Sequence, residues 1–264
     1  MILIIDSDAS KVIDAVRATG VTITRPMIEY THYIIKSMKA IGTWDLCNAV
    51  YGFVGGTAAS HKFNWKNPID TDAAFRLTYP NGNTHNSLGM QGDGTNQFAN
   101  TFINPSVSLS NTSTHLSFYS NTIATKLGTD IGTSSDGGQI NLIDLISVAS
   151  PLNIAFETGN NSTSDFIQFA GVSNSLGFNL GQINGTTYSL LNNQNIIIKT
   201  TGIGYIKGTA PIYLQARNSN STPTSNLYSS RRYQYFGIGA GFTNTQAVAQ
   251  SQIVTNAQNI LNRA

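Results

Sequence analysis

The chain has only two glutamates, Glu29 and Glu157, and a single cysteine, Cys47, in 264 residues. Glycoside cleavage generally needs two carboxylates aimed at one bond, about 5 to 5.5 Å apart when configuration is retained. Glu29 falls in a helical pattern, and Glu157 has no carboxylate two or four residues away, so no strand face offers such a pair by spacing. A lone Cys47 can neither close an internal disulfide nor anchor a cysteine-based metal site, and it reads as a small core residue. Charged residues make up 11% of the chain and the net charge is +2, where about a quarter charged is usual. Lys and Arg are scattered, Arg231 and Arg232 being the one adjacent arginine pair, so the electrostatic footprint of a nucleic-acid binder is missing. No apolar run approaches the ~20 residues of a membrane-spanning helix. The apolar opening MILII is short, lacks a basic lead and is followed by Asp6 and Asp8, so it is not read as a secretion signal. His32, His61, His85 and His115 show no HxH or HExxH spacing, no GxSxG occurs, and no Walker lysine follows any glycine-rich piece, including Gly237 to Gly241.

Asn, Ser, Thr and Gly are abundant instead, and with so little charge the expectation is that amides and hydroxyls keep the protein soluble. An extracellular-looking composition without an export signal implies assembly in a host cytoplasm and release by lysis, the route of virion proteins. The first 56 residues read as a helical module. Ser7 is placed to cap a helix through Thr19, with Ala9, Val12, Ile13 and Val16 on one stripe and Gly20 at its end. Thr24 and Pro26 open a second helix to Ile41 that presents Ile28, Ile34, Ile35 and Met38. Thr43 caps a third helical segment carrying Trp44, Leu46, Cys47 and Val50. The stretch YGFVGGTAAS, residues 51 to 60, then breaks the helical period and marks a domain boundary at about residue 56.

Beyond it the period becomes two. Phe63 with Trp65, and Phe75 with Leu77 and Tyr79, predict strands separated by Asn67-Pro68 and Pro80-Asn81-Gly82 turns. The stretch from Gly89 to Ser120 organises the rest of the chain. It has a turn at Gly92, Asp93 and Gly94, a short extended piece through Phe98 and Ala99 to Pro105, then a long strand. In that strand Thr114, Leu116 and Phe118 share one face and His115, Ser117 and Tyr119 the other, as a half-buried antiparallel strand requires. Further strands are expected at residues 139–146, 153–156, 166–170, 177–180, 196–199, 211–217 and 233–238, with loops at 158–164 and 218–225. Roughly ten strands without intervening helices predict a sandwich or barrel. A closing helix over 243–263 is capped by Thr243 or Thr245 and presents Ala249, Ile253, Ala257, Ile260 and Leu261.

The segments HKFNWKNPIDTDAAFRL, GDGTNQFANTFINP and YQYFGIGAGFTNTQAVAQSQIVTNAQNILNR resemble the concanavalin A-like (laminin G-like) jelly-roll proteins encoded by bacteriophages. So does the leading helical pair that ends at a GTW step before YGFVGG. This resemblance implies a mainly β fold: a concanavalin A-like antiparallel jelly roll over 57–264, an N-terminal helical attachment module over 1–56, and a C-terminal helix. It also implies a virion structural protein of tail-fibre, tail-tip, spike or capsid-decoration type, contacting other virion proteins and copies of itself, with a trimer as the candidate assembly.

Candidate sites are few. Asp70 and Asp72 lie on one side of an extended chain, where they suit acid and base work or calcium, or else a solvated turn with local hydrogen bonds. Asp93 with Asn96 could give oxygen ligands to calcium, or be an ordinary Asp-Gly turn. Asp136 with Gly137 and Gly138 reads as a plain turn. His115 is expected outward beside Tyr119, at a surface or subunit contact. Tyr119, Tyr213, Tyr228, Tyr233 and Tyr235 could line an aromatic platform for host glycans, or cover apolar area on a sheet. A non-enzymatic exterior protein is the leading expectation; a glycan-binding lectin comes second and a glycan-degrading enzyme third.

Overall fold

A computed structural model describes residues 4–134, 143–149, 152–160, 163–171, 175–200 and 207–263. The glycine turn expected at Asp136 lies outside them. In chain order the elements are α1 (Ser7–Ala18), α2 (Arg25–Ala40), β1 (Cys47–Tyr51), α3 (Ala58–His61), β2 (Thr84–Asn86), β3 (Gly89–Gln91), β4 (Ala99–Asn100), α4 (Pro105–Ser108), β5 (Ser113–Ser120), β6 (Gly128–Ser134), β7 (Ile143–Ala149) and β8 (Leu152–Asn160). Next come β9 (Thr163–Phe169), β10 (Gly177–Asn184), β11 (Thr187–Asn192), β12 (Asn195–Lys199), β13 (Tyr213–Leu214), β14 (Arg217–Ser219), β15 (Thr222–Pro223), β16 (Arg232–Gly239) and α5 (Asn244–Ile260).

Two sheets face each other. The first runs β12-β11-β10-β5-β16-β3-β2, with β1 also paired to β16; the second runs β15-β14-β6-β7-β8-β9, with β13 bridging β6 and β4. Every strand pair is antiparallel except β14 with β6. The protein is therefore mainly β, an antiparallel sandwich with helices at both ends of the chain. The core between the sheets contains Leu116 and Phe118 of β5, Phe236 and Ile238 of β16, Ile154 and Phe156 of β8, and Leu145 of β7. The expected organising strand β5 sits at the middle of the first sheet, between β10 and β16.

That sheet is covered on its other face as well. Ala9, Val12 and Val16 of α1, Ile34, Ile35 and Met38 of α2, and Val254 and Ala257 of α5 form a second core with Val50, Phe178, Leu180, Leu191 and Tyr235 from the strands. Helices, first sheet and second sheet thus make three layers. The boundary expected at about residue 56 runs through this packed body. Cys47 to Tyr51, expected as a third helix, is β1, with Tyr51 opposite Phe236 and Cys47 opposite Gly239. The CNAVY segment, ending in the strand formers Val50 and Tyr51, is satisfied by an open strand edge, whereas so short an isolated helix is not stable. A side chain at Gly52, just after it, would lie 2.1 Å from the Trp65 indole, so the bare backbone there lets that ring pack.

Other expectations change locally. Asp6, rather than Ser7, caps α1 by accepting from the Asp8 amide. Thr243 caps α5 in a reciprocal box with Gln246. On α5 the buried face includes Gln250, Ser251 and Gln258, while Ala249, Ile260 and Leu261 are only half-buried. The strands expected at Phe63–Trp65 and Phe75–Tyr79 are irregular chain, carrying a 3-10 turn at Asp72–Ala74. Asn64, 1% exposed, explains why: its side chain accepts from the amides of Val50 and Lys66 and donates to the carbonyls of Asn48 and Ala74. One amide does there what a strand partner would do.

Candidate functional site

The predicted carboxylates are spoken for. Asp70 and Asp72 do share one side of the chain, and what they share is Arg76, at 2.9 Å from each; Lys62 closes on Asp70 as well. Hydrogen bonds from Lys62 and Arg76 hold the Asp70 carboxyl below its ordinary pKa. Asp93 turns one oxygen onto the amides of Thr95, Asn96 and Gln97, at 2.7, 3.0 and 3.1 Å. Burial pushes its pKa up, but these three donors outweigh it and the net shift is downward. Among the described residues no three His, Cys, Asp or Glu side chains gather as metal ligands.

Strand pairing sets two acids in register that spacing along the chain could not relate. Asp144 of β7 holds the register position opposite Glu157 of β8. Arg217, itself in register with Gly132 of β6, reaches along the same face of the sheet to Glu157 at 2.9 Å. Phe166, next in register on β9, is 52% exposed, which marks this as the outer face of the second sheet.

A dense set of charged and hydroxyl groups lies between the sheets. Asp130 on β6 is 0% exposed and Arg231, just before β16, is 1% exposed. Arg231 donates to Ser147 at 2.9 Å, to Ser120 at 3.2 Å and to the Ser175 and Thr122 carbonyls, and its guanidinium lies 4.8 Å from the Phe118 ring centre. Asp130 accepts from Ser147 at 2.6 Å, from Ser229 at 3.2 Å and from the Tyr233 hydroxyl, with Arg231 at 3.5 Å. Burial, reinforced by the Asp130 charge, pushes the Tyr233 phenol well up. The hydrogen-bonding capacity of these groups is turned on one another, as a buried ion pair requires if it is not to destabilise the fold.

His115 does not face outward. It is 0% exposed, its Nδ1 donates to the Ala240 carbonyl at 2.6 Å, and its ring lies against Phe242 at 4.1 Å. Burial lowers its pKa to about 4. His61 accepts from the Gly56 amide at Nε2, so its proton sits on Nδ1 and points at His85 Nδ1, 3.0 Å away. Both rings of this pair are neutral: burial holds His61 well below its ordinary value and His85 at about 4.

The five tyrosines do not make one platform. Tyr233 and Tyr235 are fully buried on opposite faces of β16; Tyr213 stacks on Phe98 at 4.5 Å, and Tyr228 packs beside them. Tyr119 borders an open concavity. This cleft of about 300 Å³ is lined by Tyr119, Ser120, Asn121, Leu176, Gly177 and Asn193. The end of β5, the start of β10 and the turn after β11 supply it, three pieces that no sequence motif joins. A groove of about 540 Å³ between α2 and α5, bordered by Tyr33, Lys36 and Ile260, is mostly apolar.

No protein-family model and no curated protein sequence matches the chain. Among solved structures, the fold is similar to the Ruminococcus gnavus IT-sialidase CBM40 bound to alpha2,3 sialyllactose, at 11% identity over 53% of this chain and 82% of that one, with a TM-score of 0.43. It is similar to the NanB sialidase from Streptococcus pneumoniae at 12% identity over 53% of this chain and 24% of that one, TM-score 0.44. The enzymatically active domain of bacteriophage CBA120 tailspike protein 2 is similar at 11% identity over 68% of this chain and 30% of that one, TM-score 0.44.

Proposed function

We propose that the chain is a non-enzymatic structural component of a phage particle, exposed on its exterior as a tail fibre, spike or capsid decoration, making subunit contacts and supporting host attachment. One observation carries the non-enzymatic part. The constellation that would suit acid–base chemistry, Asp130, Arg231, Tyr233, Ser147 and Ser229, is sealed from solvent and satisfied internally. Catalysis needs such groups at a surface where substrate reaches them within hydrogen-bonding distance. Outside that cluster, Asp70, Asp72 and Glu157 are each engaged by a cation. The exterior setting is supported by the phage jelly-roll resemblance of the sequence and by its low charge.

Antibody labelling of purified particles in the electron microscope tests the setting, with label expected on the outer surface and no release of reducing sugar from host polysaccharide by the purified protein. Hydrolysis that disappears in Glu157→Gln, at the Asp144 register pair, would overturn the non-enzymatic reading. A glycan-binding role at the host surface is the second reading, favoured by the cleft beside Tyr119.

A further inference from the structure

We propose that the cleft formed by Tyr119, Asn121, Leu176, Gly177 and Asn193 binds one ring of a neutral saccharide. Its lining contains amides, a phenol, a serine and an apolar wall, and no Lys, Arg, Asp or Glu. An anion would meet no opposite charge there, and a cation no carboxylate. An apolar molecule would strip water from amides without replacing it, which costs free energy.

The polar groups are half-used in a way that suits a polyol. The Asn121 side chain donates to the Arg263 carbonyl at 3.1 Å and accepts from Gln234 at 2.9 Å. The Asn193 side chain donates to the Leu176 carbonyl at 3.1 Å and accepts from the Phe178 amide at 3.1 Å. Each carboxamide has two donor hydrogens and two acceptor positions, so each keeps one of both. Neighbouring ring hydroxyls, each donor and acceptor, complement that pattern. These internal bonds also fix the amides in place, so little side-chain freedom is lost on binding. Tyr119, 5% exposed, lines the cleft, and burial raises its pKa, so its hydroxyl stays protonated and able to donate.

The Asn193 carboxamide is seated against a bare glycine at the rim of the cleft. Gly177 has φ +87°, and a side chain there would lie 1.9 Å from the Asn193 Oδ1. A volume of about 300 Å³ stands at the small end of ligand pockets, roughly 300 to 1,000 Å³, which suits a monosaccharide unit held with a dissociation constant on the order of millimolar.

The inference deepens the attachment side of the proposed function and rests on that reading for its biological setting only. It is tested by NMR titration of the full chain with glucose, galactose, mannose and N-acetylglucosamine. At least one is expected to give saturable shifts confined to residues 119–121, 176–177 and 193. Tyr119→Phe, which removes one hydroxyl and keeps the ring, is expected to weaken binding roughly tenfold, the effect of one good hydrogen bond. Leu176→Trp, which fills the cleft, is expected to abolish it with little change in Tm. Absence of saturable shifts with all four sugars, shifts scattered over the surface, or unchanged affinity in Tyr119→Phe would each overturn the proposal. Sugar binding without label on particles would sink the virion setting and leave the cleft standing; label without sugar binding would do the reverse.

Discussion

The two buried layers on either side of the first sheet are held by different chemistry. Between the sheets, polar contact is concentrated in one ion pair, Asp130 with Arg231, surrounded by serines. Between the first sheet and the helices it is dispersed and mostly neutral, apart from Arg263, 3% exposed, which donates to the Ser87 and Phe53 carbonyls at 2.7 and 2.8 Å. Gln250 accepts from Thr43 at 2.7 Å and donates to the Tyr235 hydroxyl at 3.2 Å; Gln258 donates to Tyr30 at 3.3 Å; Gln182 exchanges two bonds with Phe242. The abundant amides therefore do more than solvate the surface. They tie strand to helix inside the protein, where a neutral amide costs much less to bury than a charge. A chain with 11% charged residues can still be rich in specific polar contacts.

The largest test of this contrast is to remove one layer. A chain beginning at residue 57 loses α1, α2 and β1, exposing Tyr235, Phe178 and Leu180 and freeing the β16 edge that β1 covers. It is expected to have no cooperative thermal transition in calorimetry; a sharp transition would mean that the first 56 residues are an independent module after all.

Next in size is a comparison of the two polar schemes by urea denaturation. Arg231→Met leaves Asp130 charged and unpaired inside the sandwich and is expected to cost about 3 to 5 kcal/mol. Gln250→Leu leaves only neutral hydroxyls without a partner and is expected to cost about 1 to 3 kcal/mol. Equal costs would dissolve the distinction between the layers.

A third test is in pH. His115 titrates near its ordinary 6.5 when unfolded and at about 4 when folded, so the unfolded chain binds the extra proton first. The stability this ring contributes is present above 6.5 and is lost as pH falls toward 4, by about 3 kcal/mol at 1.36 kcal/mol per unit. Asp8, held at about 2 by hydrogen bonds from Lys11 and Lys39, loses its contribution only below that window. His61 and His85, also held low by burial, contribute in the same window, so His115→Gln is expected to reduce the slope between pH 6.5 and 4 in urea midpoints without removing it; an unchanged slope would exclude His115 as a source.

Much of the fold was legible because it depends on local periodicity. The stripe Ala9, Val12, Ile13 and Val16 is buried as its spacing requires, and β5, β8, β10 and β16 overlap the expected strands. β6 was not legible. Its sequence GTDIGTS has one aliphatic side chain, yet all seven residues are buried, because β7, β13 and β14 flank it and Arg231, about a hundred positions away, supplies the counterion of Asp130. β11 was also missed, its pattern merging with the polar turn beside it. The cleft left no signature, since its walls come from three separate strand ends.

The order of residues by itself determined which segments carry a greasy stripe, where helices are capped, and that acids and cysteines are too sparse for much of known site chemistry. Those properties depend on neighbours within a few positions. Only the folded arrangement decided that β5 is covered on both faces rather than one, that His115 points inward, that Asp144 stands in register with Glu157, and that Tyr119 borders an opening. Each of these depends on which distant strand or helix lies alongside, and burial is a property of the whole packing rather than of any one segment.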